Sequence, residues 1–190
     1  MNKELLEGEN IFAIQGFLSG DDCDRLIALS EAIGYETATV GDVVVTGFRN
    51  NGRVILDDPA LAAELWDKAR PFLPRVGGWE PVGLNDRFRF YRYDVAETFA
   101  PHYDGSYWRG LDEESRLTFM IYLNEGCQGG GTHFYFPGGT LKLVVRPERG
   151  KALFFLHLQL HEGAPVTSGR KYALRTDVMY RATKEDIPIP

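Results

Sequence analysis

Pro101-His102-Tyr103-Asp104-Gly105 sets an imidazole and a carboxylate two residues apart, inside an apolar and aromatic region. On a β-strand, residues i and i+2 face the same way, roughly 7 Å apart. His102 and Asp104, both metal-capable, would then lean toward one point. Upstream, Arg87 to Tyr93 alternates, with Phe88 and Phe90 on one face and Arg89, Tyr91 and Tyr93 on the other. Downstream, a polar segment from Gly105 to Arg116 leads into apolar Leu117 to Leu123. Gly129-Gly130-Gly131 reads as a flexible turn before Thr132 to Phe136. Leu141 to Val145, Ala152 to Leu156 and Tyr172 to Tyr180 continue the series, with Pro147 and Gly150 as punctuation. Many short strands parted by Gly and Pro predict a β-sandwich or barrel.

The N-terminal part mixes helix and strand. Ile11 to Phe17 alternates loosely. Ser19 then provides a helix cap with Asp21 and Asp22 in the first turn. Cys23, Leu26, Ile27, Ser30 and Ile33 follow helical spacing, and Gly34 suits the C-terminal cap. Val43-Val44-Val45 reads as a strand, and Arg49 to Arg53 as a polar loop before Val54-Ile55-Leu56. Asp58-Pro59 opens a second helix with Leu61, Leu65, Trp66 and Ala69 as its apolar stripe. Pro71 and Pro74 end it. Both stripes need an apolar surface, so the helices should cover one outer face of the sheet.

Composition sets bounds on function. The chain has 190 residues, 44% apolar and 13% aromatic, enough for one domain with a sizeable core. The net charge of −6 disfavours generic binding to nucleic acid or an acidic membrane. No run approaches the ~20 apolar residues of a transmembrane helix, and the start carries no signal-peptide pattern. A cytoplasmic chain with Cys23 and Cys127 as free thiols is the expectation.

A metal site needs a third ligand. Imidazole plus carboxylate is the ligand mix of the two-histidine, one-carboxylate triad of non-haem iron oxygenases. His133 alternates out of phase with Thr132, Phe134 and Phe136 and reads as an ordinary strand residue. His157 and His161 both follow the Ala152 to Phe155 strand, and periodicity leaves both open. Beyond them, His161-Glu162-Gly163-Ala164-Pro165-Val166 runs to Gly169-Arg170-Lys171-Tyr172. With His102-Tyr103-Asp104, Met120-Ile121-Tyr122-Leu123-Asn124 and Gly129-Gly130-Gly131-Thr132-His133-Phe134, this ordered set resembles the Fe(II)- and 2-oxoglutarate-dependent dioxygenases, specifically the prolyl 4-hydroxylase-like group. The resemblance covers roughly Arg87 to Tyr180.

The resemblance implies a mainly β fold with flanking helices (α+β). The expected form is a double-stranded β-helix, a cupin-like jelly-roll barrel with the N-terminal helices packed on one sheet. Residues 1–190 would form one dioxygenase domain, with 1–80 as support and 87–180 as the catalytic core. It also implies His102, Asp104 and His161 as iron ligands, with His157 as the reserve candidate, a neighbour of the ligands or a substrate contact. Lys171 matches the cation that pairs with the distal carboxylate of 2-oxoglutarate, and Arg175, on the same strand face, competes for that role. Tyr122, Tyr93 and Thr132 would line the cosubstrate pocket. Physically, a buried dianion needs a cation and hydrogen-bond donors. Tyr107, Trp108 and Arg109, just after the ligand pair, form a candidate substrate rim, and Arg89 is a further candidate substrate contact.

The implied cofactors are Fe(II), 2-oxoglutarate and O2, with ascorbate as an additional candidate. The implied reaction hydroxylates an unactivated C–H bond and releases succinate and CO2. A prolyl residue of a protein or peptide is the first substrate, and a free amino acid or other small molecule the second. No nucleic-acid or membrane partner is expected. Two other classes compete: a zinc hydrolase, which accepts His/Asp/His plus water, and a non-catalytic jelly-roll binding module. Lys171 and Tyr122 discriminate against the first, and three intact ligand positions against the second.

Overall fold

The computed structural model describes residues 1–38, 47–136 and 138–182. Val43-Val44-Val45 and the Ile187-Pro188-Ile189-Pro190 tail lie outside the described residues. In chain order, β1 (Asn2–Glu7) and β2 (Ile11–Gln15) lead to α1 (Gly20–Ile33), β3 (Glu36–Thr37), β4 (Gly52–Asp57) and α2 (Pro59–Ala69). Then come β5 (Trp79–Leu84), β6 (Arg87–Tyr93), β7 (Phe99–His102), β8 (Trp108–Arg109) and β9 (Glu113–Tyr122). They are followed by β10 (Gln128–Gly129), β11 (Thr132–Phe136), β12 (Thr140–Val145) and β13 (Ala152–Leu156). The last are β14 (His161–Gly163), β15 (Val166–Ser168) and β16 (Lys171–Ala182).

Two main antiparallel sheets face each other, and β10 pairs with β15 in a small third. The larger runs β1-β2-β13-β9-β16-β6-β4-β3, with β5 added on β16 and β8 on β9. The smaller runs β12-β11-β14-β7. This is the expected jelly-roll, with the smaller sheet covering the inner face of the larger.

Alternation along the strands sorts residues between faces. Phe88 and Phe90 of β6, Leu117, Phe119 and Ile121 of β9, and Leu174 and Val178 of β16 point outward, into the main core. Cys23 and Leu26 of α1 and Leu61, Leu65 and Ala69 of α2 pack on that face, as their stripes require. Phe154 of β13 stacks on Phe12 at 4.9 Å and on Phe119 at 4.4 Å between ring centroids. These are direct cross-strand partners, so the register itself builds the aromatic stack. The inner face carries Met120, Tyr122, Phe155 and Ala173, together with Tyr91 and Tyr93.

Both helices start where the caps predict. The Ser19 hydroxyl accepts from the Asp22 amide at 3.1 Å, and the Asp22 carboxylate accepts from the Ser19 amide at 3.3 Å. The Asp58 side chain accepts from the amides of Ala60 and Leu61. Cys23 and Cys127 are both free thiols.

Some boundaries differ from the sequence expectation. β9 begins at Glu113 inside the expected polar segment. Glu113 is buried with its charge met by Arg109 and Arg181, which lets an acidic residue sit in a strand. β1 and β5 were not anticipated; both have mixed polar sequences and owe their strand conformation to pairing with β2 and β16. β7 ends at His102, so Asp104 is not on a strand. Its approach to His102 comes instead from a backbone bond, Asp104 N–H to the His157 carbonyl at 3.1 Å.

Candidate metal and cosubstrate site

β7 and β14 lie side by side with His102 opposite His161. Their ring centroids are 4.3 Å apart. Asp104 joins them: its Oδ1 is 3.8 Å from His102 Nε2 and its Oδ2 is 3.6 Å from His161 Nε2. One ligand atom from each of the three falls within 4.8 Å of the others, the only such group of three among the described residues.

The tautomers follow from the hydrogen bonds. His102 Nδ1 donates to the Ala100 carbonyl at 2.8 Å, and His161 Nδ1 to the Gln159 carbonyl at 2.9 Å. Each Nε2 lone pair is thereby turned toward the cluster. Burial, reinforced by the neighbouring His161, pushes the His102 pKa down to about 4, and burial lowers that of His161 as well. Burial alone would raise the Asp104 pKa, but the Arg175 cation, His161 and the Thr118 hydroxyl hold it well below the usual carboxylate range. Two neutral imidazoles and an ionised carboxylate form a donor set that suits divalent iron. Each carboxylate oxygen keeps a second lone pair for a metal.

A chain of hydrogen bonds holds Asp104. The Thr118 hydroxyl donates to Asp104 Oδ2 at 2.5 Å. Its single proton is then used, so the 3.0 Å contact with His157 Nδ1 has the ring as donor. His157 Nε2 must then accept, from the Ser115 hydroxyl at 2.9 Å, while Ser115 accepts from the Tyr107 amide at 2.8 Å. One direction of donation therefore runs from the rim backbone to the carboxylate. His157 is 3% exposed with both ring nitrogens engaged, so it stands behind Asp104 rather than among the ligand atoms.

On the other side, Arg175 lies 3.0 Å from Asp104 Oδ1 and 3.0 Å from Asp177 Oδ1. It is occupied by these carboxylates. Lys171 is not. The residue is 2% exposed, and its ammonium donates to the Gly130 carbonyl at 2.7 Å and sits over the rings of Tyr93 (4.8 Å) and Tyr122 (5.6 Å). Among the described residues no carboxylate pairs with it, and burial lowers its pKa to about 8. Gly130, at φ +65°, is required here: a Cβ would lie 3.3 Å from Lys171 Cδ. The Tyr122 hydroxyl shares a 2.7 Å hydrogen bond with Thr132 Oγ1. Lys171, Arg175, Tyr93, Thr132 and the triad line one cavity.

The remaining sequence candidates are placed elsewhere. Tyr107 and Trp108 are 46% and 55% exposed, Trp108 packs edge-on against Trp79, and Arg109 pairs with Glu113 at 2.6 Å. None of the three lines the cavity. Arg89 sits opposite Arg175 and 3.7 Å from Asp177. His133 pairs with Glu162 at 2.9 Å, apart from the cluster. Sequence reasoning missed Thr118 and Asp177. Both share the inward face with identified residues, Thr118 with Tyr122 and Asp177 with Lys171, so period-two counting from those residues would have reached them.

Residues 88–176 match the family described as the 2OG-Fe(II) oxygenase superfamily. The chain is 26% identical to probable prolyl 4-hydroxylase 6 of Arabidopsis thaliana, over 85% of this chain and 66% of that protein. Against prolyl 4-hydroxylase 2 of the same plant the identity is 25%, over 90% of this chain and 67% of that one. The chain thus spans about two thirds of the length of these relatives. The viral collagen prolyl hydroxylase of Paramecium bursaria Chlorella virus-1, solved with 2OG, superposes with a TM-score of 0.63 at 24% identity, covering 94% of this chain and all (100%) of that one. A prolyl hydroxylase from Trichoplax adhaerens, solved with a hypoxia inducible factor peptide fragment, gives 0.70 at 17% identity, with coverage of 91% and 84%. Both structures share the double-stranded β-helix. The family match falls on the segment that carries His102, Asp104, His161 and Lys171, so it is through the residues that build this site that the chain is similar to the 2OG-Fe(II) oxygenase superfamily.

Proposed function

We propose that this protein is an Fe(II)- and 2-oxoglutarate-dependent dioxygenase that hydroxylates an unactivated C–H bond, with a prolyl residue of a peptide or protein as the first substrate to test. The observation that carries the reading is the buried Lys171, without a carboxylate partner among the described residues, in the same cavity as the His102, Asp104 and His161 cluster. A hydrolytic zinc site does not require such a cation. The relatives named prolyl 4-hydroxylases support the prolyl substrate.

Bound iron would supply oxygen activation, coupled to decarboxylation of 2-oxoglutarate to succinate and CO2. The chain's own residues do the rest. His102 and His161 present fixed Nε2 lone pairs, and Asp104 presents an anion kept ionised by Arg175 and Thr118. Lys171 offers a desolvated charge to the distal carboxylate of 2-oxoglutarate, where a charge-assisted bond is strongest, and Thr132, which lines the cavity, offers a hydroxyl beside it; Tyr122 does not line the cavity and holds Thr132 from behind through its own hydroxyl. Phe99, stacked on His102 at 3.6 Å, and Phe155, 4.5 Å from His161, close the ligand rings off from water.

The test is anaerobic reconstitution with Fe(II) and 2-oxoglutarate, followed by exposure to air with a peptide and metabolite panel. The expected results are a metal-to-cosubstrate charge-transfer band, succinate formation, and an added oxygen in one panel member that depends on 2-oxoglutarate. Absence of the band, together with unchanged 2-oxoglutarate binding in Lys171→Ala, would overturn the cosubstrate assignment.

A further inference from the structure

The inner face of the large sheet carries more cations than the iron and cosubstrate chemistry uses. β16 and β6 set Arg175 directly opposite Arg89, and Ala173 opposite Tyr91. Tyr91 lines the metal cavity. The Arg49 guanidinium lies over two cavity-lining rings, 4.7 Å from the centroid of Tyr91 and 4.2 Å from that of Phe99. Phe99 in turn stacks on His102. Arg49 and Arg89 therefore flank Tyr91, one through its ring face and one two residues along the same strand.

Their partners do not satisfy them. Arg49 is 5% exposed, and among the described residues its side chain donates to a neutral group, Asn51 Oδ1 at 2.9 Å. Among the described residues its NH2 nitrogen is buried with no hydrogen-bond partner, and the same holds for Arg89 NH1. The carboxylate nearest Arg89 is Asp177, at 3.7 Å, and Asp177 already serves Arg175 at 3.0 Å. Lys171 and Arg175 line the cavity with Asp104 and Glu162, and Arg49, Arg89 and Asp177 stand behind that lining, four cations against three anions among the described residues. A divalent metal and the 2-oxoglutarate dianion cancel each other, so the positive excess survives loading. Glu162, on the opposite wall, is engaged by His133 and Tyr135. A low-dielectric cleft with an uncompensated positive charge concentrates anions. Buried guanidinium N–H groups left unpaired are unusual unless a water, an ion or a ligand completes them.

We propose that the substrate carries a carboxylate, held beside Tyr91 by Arg49 and Arg89 next to the carbon to be hydroxylated. This rests on the dioxygenase reading above and narrows its substrate class. The carboxylate has two possible sources: the free α-carboxylate of an amino-acid-like small molecule, or an acidic side chain flanking the target residue of a peptide.

Matched acid and carboxamide pairs separate these. One arm uses L-proline and L-prolinamide with further amino acids and their amides. The other uses prolyl hexapeptides with a flanking Glu or Gln. Each member is assayed for 2-oxoglutarate-dependent oxygen addition and for the thermal shift it gives the iron- and 2-oxoglutarate-loaded protein held without oxygen. The expected result is at least a tenfold preference in kcat/KM for the acid in one arm, with a thermal upshift from the acid alone. In Arg49→Gln and Arg89→Gln the preference should collapse toward unity through KM. Arg49→Lys and Arg89→Lys should recover part of it, which a loss of folding would not do. Arg87→Gln, whose partner is the exposed Asp57, serves as the control and should keep the preference. A carboxamide that binds and reacts as well as its acid overturns the proposal. So does a panel in which no acid shifts the protein or is oxidised while 2-oxoglutarate is still decarboxylated. Failure of the wild type to decarboxylate 2-oxoglutarate at all removes the dioxygenase reading, and this inference with it.

Discussion

Lys171→Met removes a charge that the fold keeps at a cost. Burial moves the Lys171 pKa from its ordinary 10.5 down to about 8, so holding the ammonium in the cosubstrate-free protein at neutral pH costs on the order of 3 kcal/mol. Its 2.7 Å bond to the Gly130 carbonyl returns about 1 kcal/mol. Methionine fills similar space without charge. The metal-free Lys171→Met protein should therefore be more stable than wild type by about 2 kcal/mol in urea unfolding at pH 7. The same substitution should cost at least a hundredfold in 2-oxoglutarate affinity by calorimetry. The sign of the pH dependence is a second signature. Between pH 8 and 10.5 the unfolded chain retains the Lys171 proton while the folded chain has released it. Wild-type stability should therefore gain a rising contribution across that window, and Lys171→Met should lack it. A variant that loses more than about 1 kcal/mol, or binds 2-oxoglutarate within threefold of wild type, would refute the reasoning.

Other outcomes follow from the same geometry. Thr118→Val keeps the side-chain shape but leaves Asp104 Oδ2 without its donor and the His157 Nδ1–H without its acceptor; Fe(II) or Co(II) affinity should fall about 10–100-fold in metal titrations. His161→Ala should abolish 2-oxoglutarate decarboxylation, whereas His157→Ala, which loosens Asp104 without removing a ligand atom, should retain measurable turnover that rises with added Fe(II). In wild type, 2-oxoglutarate affinity should weaken as pH rises above about 8, because free Lys171 must first take up a proton. Phe154→Ala, between Phe12 and Phe119, should destabilise the fold by about 3–5 kcal/mol in chemical denaturation without altering the metal-bound spectrum of the folded fraction.

The jelly-roll was legible because its strands are short, alternating and punctuated. Phe88 and Phe90 against Tyr91 and Tyr93 is a face assignment that needs no partner strand to be read, and the structure keeps it. Likewise Ser19 and Asp58 announce helix starts through local bonds between a side chain and amides two or three residues away. β1 and β5 were illegible for the opposite reason: their conformation is imposed by neighbours distant in sequence.

Within the site, His102, Asp104 and Lys171 could be picked out by residue type and order, and the choice between His157 and His161 needed the Pro165-Val166 and Lys171 context downstream. The sequence by itself determined the chemistry on offer: three candidate imidazoles, one carboxylate, two competing cations and a strand pattern to carry them. Only the tertiary structure decided which of these groups meet. His102 faces His161 through strand register, Asp104 is drawn in by the His157 carbonyl, and His157 turns away to bond Ser115 and Thr118. Arg175 is claimed by two carboxylates while Lys171, four residues earlier on the same face, has no carboxylate partner among the described residues. A sequence lists charges, but which are neutralised depends on contacts a few ångströms long between residues tens of positions apart, and those exist only once the sheets have closed.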